Sequence, residues 1–274
     1  LGDVYKRQWL DSRTDELLVE DGALVGALIT RQGRQVRVLS RGGVVCATGG
    51  FAAAPEAAAQ RPETGSAHLS MSPPGNVGDG LRLAQATGAV LGQGLAANFF
   101  WAPVSEVIHR NGERERFPHL VTDRAKPGVI AVNRAGERFV NESDSYHHFV
   151  QRMFATGSTP CWLVCDAEAL NKYGLGLARP KPVDNSALIE AGYLHRADSA
   201  EQLAAQIGVD PQGLRRTLDS YNRDAREGVD RTFGKGGNSY NRYMGDPGHQ
   251  PDPCNAPLLK APWYAVRPVS YTHL

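Results

Sequence analysis

Between residues 16 and 39 apolar and polar positions alternate in three short runs, separated by Asp21-Gly22 and Gln32-Gly33. This pattern predicts strands over residues 17–20, 24–30 and 35–39, joined by tight turns into an antiparallel meander. The next run, residues 43–47 (GVVCA), is continuously apolar, as a strand buried on both faces of a parallel sheet would be. It ends in Thr48-Gly49-Gly50-Phe51, where paired glycines either let backbone approach a ligand or simply make a turn. Asn76-Val77-Gly78-Asp79-Gly80 then leads into a helix over residues 81–87, with Asp79 as its N-cap and Gly88 just past its end. Phe99, Phe100, Trp101 and Pro103 form an apolar patch, by default core and alternatively the lining for a flat hydrophobic ligand.

Residues 129–132 read as a strand, Asn133-Arg134-Ala135-Gly136 as a turn, and residues 137–140 as the returning strand. The period then becomes helical. Ser143 stands as N-cap, Phe149, Val150, Met153 and Phe154 follow at helical spacing, and Gly157 is the stop. Tyr146 thus falls in a first helical turn, where the backbone dipole favours negative charge. It is a candidate proton acceptor, simple packing being the plainer account. His147 and His148 are expected to be solvent-exposed. Residues 161–165 predict a buried strand ending at Asp166. Ser199 opens a helix over residues 200–207 with a capping box, and Asp210-Pro211 opens another whose Leu214, Leu218 and Tyr221 share a face. The glycine-rich residues 233–237 lack P-loop spacing and read as a mobile loop. A proline-rich stretch, residues 246–257, delivers Ala261-Pro262-Trp263-Tyr264-Ala265.

With 274 residues the chain is long enough for one large or two medium domains. Thirty basic and 29 acidic residues give a net charge of +1, which points to no nucleic-acid surface. No apolar run approaches the roughly 18 residues of a membrane span. Cys161 and Cys165 read as core thiols rather than metal ligands. A cytoplasmic chain is expected. Both ends, residues 1–8 and 269–274, resemble translated sequencing-adaptor read-through and are expected to pack against little. The native part, residues 9–268, would then be an internal piece of a longer protein.

The hairpin residues Gly128, Val132, Asn133, Gly136, Arg138, Phe139, Asn141 and Glu142 fit a known pattern. They resemble G-x-I-x-V-N-x-x-G-x-R-F-x-N-E of FAD-dependent dehydrogenases of the fumarate reductase superfamily. The continuation Asn141-Glu142-Ser143-x-x-Tyr146-x-x-Phe149 is similar to the 3-ketosteroid delta-1-dehydrogenase branch. The resemblance implies an α/β fold, a partial Rossmann-like FAD-binding domain with a β-meander (residues 9–104), plus an α+β cap (residues 105–262). Residues 263–268 would begin the return to the cofactor domain. It further implies FAD held by Ala47, Thr48, Gly49, Gly50, Phe51, Asn76, Gly78, Asp79 and Gly80. The G-x-G-x-x-G fingerprint is absent, so the chain alone is expected to be inactive. Tyr221, Asn222, Ala225, Gly228, Asp230 and Phe233 match a cap signature and imply scaffold.

By the same resemblance Tyr146 and Tyr264 are catalytic, the first taking a proton and the second polarising a ketone. The substrate would be a small hydrophobic, steroid-like ketone, and an electron acceptor would serve as partner. Ionising an ordinary tyrosine at pH 7 costs about 4 kcal/mol, at roughly 1.4 kcal/mol per pH unit. A helix N-terminus returns only about 0.3–2 kcal/mol. Proton transfer must therefore be shared with another group or concerted with acidification of the substrate. The competing fumarate reductase reading needs an arginine acid soon after Asn141-Glu142. The first arginine there is Arg152, which counts against it.

Overall fold

The computed structural model describes residues 8–54, 69–92 and 100–273. The chain divides into two compact units, residues 1–61 with 72–98 and 274, and residues 62–71 with 99–273.

In the first unit the meander is present: β1 (Ser12–Glu20), β2 (Ala23–Arg31) and β3 (Arg34–Leu39) pair antiparallel in that order. Both turns have two consecutive positive φ values, 51° and 77° at Asp21-Gly22 and 49° and 73° at Gln32-Gly33. This is the type I′ geometry that matches the twist of paired strands. The apolar residues 43–47 do not form the expected buried strand. Val45 is 89% exposed, Cys46 is exposed, and no described residue pairs with them. An apolar run becomes a strand only where a neighbour supplies the ladder of hydrogen bonds. After the two-residue β4 (Leu69–Ser70, a part of the second unit) comes α1 (Asp79–Ala86). Asp79 is its first residue rather than its cap. Gly78, at φ +84°, holds the cap position, and Asp79 pairs with Arg82 one turn on.

The second unit contains two four-stranded sheets. The first has the order β4, β11 (Val269–His273), β5 (Phe100–Ile108), β6 (Arg114–Pro118). Residues 269–273, expected to pack against little, instead pair antiparallel with β5 from Val269–Val104 to His273–Phe100. Strand pairing is made by backbone, so an edge accepts such a segment with little regard to its side chains. The second sheet has the order β7 (Val129–Val132), β8 (Trp162–Asp166), β10 (Trp263–Val266), β9 (His195–Ala197), antiparallel throughout. The return after Asn133–Gly136 makes one bridge, Val132 to Arg138, and no strand, because the edge groups of β7 go to side chains: the Ala131 N–H to the Glu142 carboxylate and the Val129 carbonyl to Lys235.

Helices α6 (Ala200–Ile207) and α7 (Pro211–Arg226) begin and end as their caps dictate: Ser199 accepts from the Gln202 N–H, and Asp210 from Gln212 and Gly213. Leu203, Ile207, Leu214, Leu218 and Tyr221 of these helices pack on Ile130, Val132, Trp162, Val164, Trp263 and Ala265 of the second sheet. Burying each such side chain contributes on the order of 1.5–3 kcal/mol before entropy, so this face is the main core. The remaining helices are α2 (Val121–Arg124), α3 (Tyr146–Ala155), α4 (Ala167–Tyr173), α5 (Ser186–Glu190) and α8 (Ser239–Met244). Residues 233–237 are not a slack loop. Lys235 is 1% exposed and donates to the Val129 carbonyl at 2.6 Å, which pins the loop to β7.

Candidate active site

In the first unit the two glycine-bearing segments meet backbone to backbone. The Gly78 N–H donates to the Gly50 carbonyl at 3.2 Å, and the Ala53 N–H to the Asn76 carbonyl at 3.0 Å. A Cβ on Gly80 would lie 1.9 Å from Thr48 Oγ1, and one on Gly78 3.1 Å from Phe51 Cβ. Only glycine permits this approach. Ala47, Thr48 and Gly49 stay exposed beside the start of α1. Glycine-bearing segments beside a helix start let a polar ligand approach backbone closely.

In the second unit Tyr146 is the first residue of α3. Ser145, not Ser143, caps the helix by accepting from the His148 N–H. The chain between Asn141 and Ser145 is a separate turn, with the Asp144 N–H on the Asn141 carbonyl at 3.1 Å. The half-buried Tyr146 ring packs on Ala102 and Val104 of β5. His147 is not free in solvent: its Nδ1 accepts from the Trp101 N–H at 3.0 Å, and its ring meets Phe100 edge-on. Burial, then the neighbouring His148, lowers its pKa below 6.5. His148 is exposed, as expected.

Tyr264 lies in the middle of β10, in a row across the sheet that reads Val129, Cys165, Tyr264, Arg196. The two candidate tyrosines therefore stand on different elements, Tyr146 over the first sheet and Tyr264 in the second. They share one property. Buried tyrosine hydroxyls ordinarily find a partner, and Tyr173, Tyr193 and Tyr221 are bonded to Asp246, Ser105 and Asn255. The hydroxyls of Tyr146 and Tyr264, both half-buried, have none among the described residues. Of the apolar patch before Val104, Trp101 is core at 5% exposure and Phe100 is 60% exposed, while Phe99 lies outside the described residues.

The N-E motif itself is scaffold. Glu142 is fully buried and accepts from the Ala131 N–H and from Arg138, which also bridges to Asp230 at 2.8 Å. The Arg138 guanidinium stacks on Tyr221 and Phe233. Burial pulls the Arg138 pKa down, but Glu142 and Asp230 more than offset it and hold the group charged. Asn222 of the cap signature bonds both polar groups of Leu258.

Sequence reading missed a buried polar chain. Asp123 Oδ2 lies 2.6 Å from His119 Nδ1, His119 Nε2 is 2.7 Å from Ser105 Oγ, and Ser105 Oγ is 2.6 Å from the Tyr193 hydroxyl. The Leu177 N–H donates to the Tyr193 oxygen at 3.0 Å. One direction satisfies every group: Leu177 to Tyr193 to Ser105 to His119 to Asp123, each donor used once. Burial pushes the Tyr193 pKa up to about 12. The His119–Asp123 spacing of four residues was the one signal for it. Among the described residues no cluster of His, Cys, Asp or Glu could hold a metal ion, and no helix is long and apolar enough to cross a membrane.

The mixed helix-and-sheet fold is that of FAD-binding flavoenzymes. The chain belongs to the FAD binding domain family, which matches residues 7–274. It is 38% identical, over 97% of its length, to 46% of 4-oxocyclohex-2-ene-1-carboxylate 5-dehydrogenase from Sinomonas cyclohexanicum. It is 28% identical, over 95% of its length, to 47% of 3-oxosteroid 1-dehydrogenase from Mycolicibacterium smegmatis. It also resembles the crystal structure of 3-ketosteroid delta1-dehydrogenase from Sterolibacterium denitrificans in complex with 1,4-androstadiene-3,17-dione. That match has a TM-score of 0.82 and 34% identity, and covers 96% of this chain and 48% of the other. The chain thus spans about half the length of these relatives.

Proposed function

We propose that the complete protein is an FAD-dependent dehydrogenase that desaturates a carbon–carbon bond next to a ring ketone. Tyr264 donates a hydrogen bond to the ketone oxygen and so acidifies the neighbouring C–H. Tyr146 accepts the proton that leaves. The bound flavin supplies the two-electron acceptor for the hydrogen that leaves as hydride. Ala47 to Phe51 and Asn76 to Gly80 hold the cofactor through backbone, the first unit being part of a Rossmann-like domain and residues 105–262 the cap. The observation that carries the reading is the pair of half-buried tyrosines whose hydroxyls have no partner among the described residues. A free hydroxyl in such surroundings is ready to bond a ligand.

The substrate class is a six-membered ring ketone, supported by relatives named for a 4-oxocyclohexene carboxylate and for 3-oxosteroids. The test is turnover by the complete enzyme of a 3-oxosteroid and of a 4-oxocyclohexane carboxylate with an artificial electron acceptor, against fumarate with reduced viologen. Removing a general base typically costs about 10²–10⁴ in rate, and Tyr146→Phe should lose that much while retaining flavin colour. Near-normal turnover in that variant, or turnover of fumarate alone, would overturn the proposal.

A further inference from the structure

We infer that Arg124 is a positioning residue for Tyr146, an assignment that rests on Tyr146 acting as the base. Arg124 is fully buried, yet its donors go to backbone carbonyls and not to carboxylates. Nε donates to the carbonyls of His119 and Leu120, both at 2.9 Å. Nη1 donates to the Glu142 carbonyl at 2.5 Å and Nη2 to that of Asp144 at 3.2 Å. The carbonyl between them, that of Ser143, accepts from Asn241 Nδ2 at 3.0 Å. Three consecutive carbonyls leading to Tyr146 are therefore each held by a buried side chain. The next, that of Ser145, accepts from the Phe149 N–H at 2.9 Å and is already part of the helix. The guanidinium also lies over the Phe149 ring, 4.4 Å from its centre, one turn beyond Tyr146.

The nearby carboxylates are committed elsewhere. Glu142 binds Arg138 and the Ala131 N–H, and Asp123 binds His119 and the Arg124 N–H. Burying a cation to hold one turn from both sides is expensive, and a planar fork is the shape that reaches two carbonyls at once. The turn so fixed ends one residue before the tyrosine. Proton transfer depends on placement: a shift of about 1 Å can cost on the order of 10²-fold in rate.

The test uses Arg124→Lys, which keeps the charge on a flexible stem but loses the fork, and Phe149→Leu, which removes the platform while keeping an apolar core residue. In the 274-residue chain, amide hydrogen exchange should rise selectively over residues 143–150 in both variants, with the second sheet unchanged. In the complete enzyme, kcat for the ring ketone should fall about 10–100-fold, with KM and flavin content little altered. Placed on a Tyr146→Phe background, neither substitution should lower the rate further, because each acts through the tyrosine hydroxyl. Additive losses, or exchange that rises throughout or not at all at residues 143–150, would overturn the assignment. If Tyr146→Phe alone leaves turnover near normal, the reading of Tyr146 fails, and the positioning role of Arg124 with it. Should Arg124→Lys not fold, the same three measurements on Phe149→Leu decide the question.

Discussion

Gly80 and Thr48 stand so close that the Cβ of an alanine at residue 80 would lie 1.9 Å from Thr48 Oγ1 and 2.9 Å from Thr48 Cβ. Rotating the hydroxyl away relieves only the first contact. Gly80→Ala should therefore destabilise the first unit by about 1–3 kcal/mol, the usual cost of overpacking. Thr48→Ala should restore part of that loss in the double variant. Urea unfolding of the four proteins checks this, and strictly additive effects would show that the two segments do not meet as described.

Arg138 lies between Glu142 and Asp230, both buried. Arg138→Met would strand two carboxylates, and removing one partner of a buried pair costs about 3–5 kcal/mol. Burial raises the Asp230 pKa, and the Arg138 hydrogen bond and charge more than reverse it, leaving it below the usual 3.8. A depressed folded-state pKa gives stability that is present above 3.8 and lost as pH falls through the folded value. The acid limb of a stability–pH curve should therefore be steeper below pH 4 in the parent than in Asp230→Asn. Equal limbs would contradict the pairing.

His147 accepts a backbone hydrogen bond through Nδ1, so its protonation competes with the docking of α3 on β5. Its folded pKa lies below 6.5. Above pH 6.5 neither state binds the proton. Below it the unfolded chain binds first, and stability falls as pH falls. His147→Asn, whose Oδ1 accepts without titrating, should flatten the thermal stability profile between pH 6.5 and 5.

Ser105 is donor and acceptor at once within the Tyr193–Ser105–His119 chain. Ser105→Ala leaves His119 Nε2 without a donor and the Tyr193 O–H without an acceptor, while the Tyr193 oxygen keeps the Leu177 N–H, and should cost about 1–3 kcal/mol. A double-mutant cycle with Tyr193→Phe should show a coupling of about 0.5–3 kcal/mol, and a value near zero would break the chain as drawn.

Much of this was legible from local chemistry. The turns at Asp21-Gly22 and Gln32-Gly33 need positive φ, and the caps Ser199 and Asp210 have one side-chain job each, so position alone reveals them. The helix carrying Tyr146 was legible for the same reason, with its cap displaced by two residues because Ser143 and Ser145 offer the same hydroxyl. What local pattern could not carry was partnership. Residues 43–47 have the composition of a buried strand and no strand to pair with among the described residues. Lys235 looked like a loop residue until the Val129 carbonyl, over 100 positions away, supplied its partner. Ser105, His119 and Tyr193 are unremarkable singly and meet only in the folded chain.

The bond between Asn141 and Asn241 joins residues 100 apart, and the Arg138–Asp230 bridge spans 92. The turn before Tyr146 is thus completed by segments synthesised much later. Loop closure of that length is slow relative to the local turns and helices. The meander rests on local contacts, whereas the carbonyl of Ser143 takes its partner from Asn241. A nascent chain halted before Asn241 would carry every candidate residue of the first unit and Tyr146 as well, yet lack the bond that fixes the turn. Order at Tyr146 therefore depends on a residue nearly a hundred positions away, and a chain cut before Asn241 would carry the tyrosine without it.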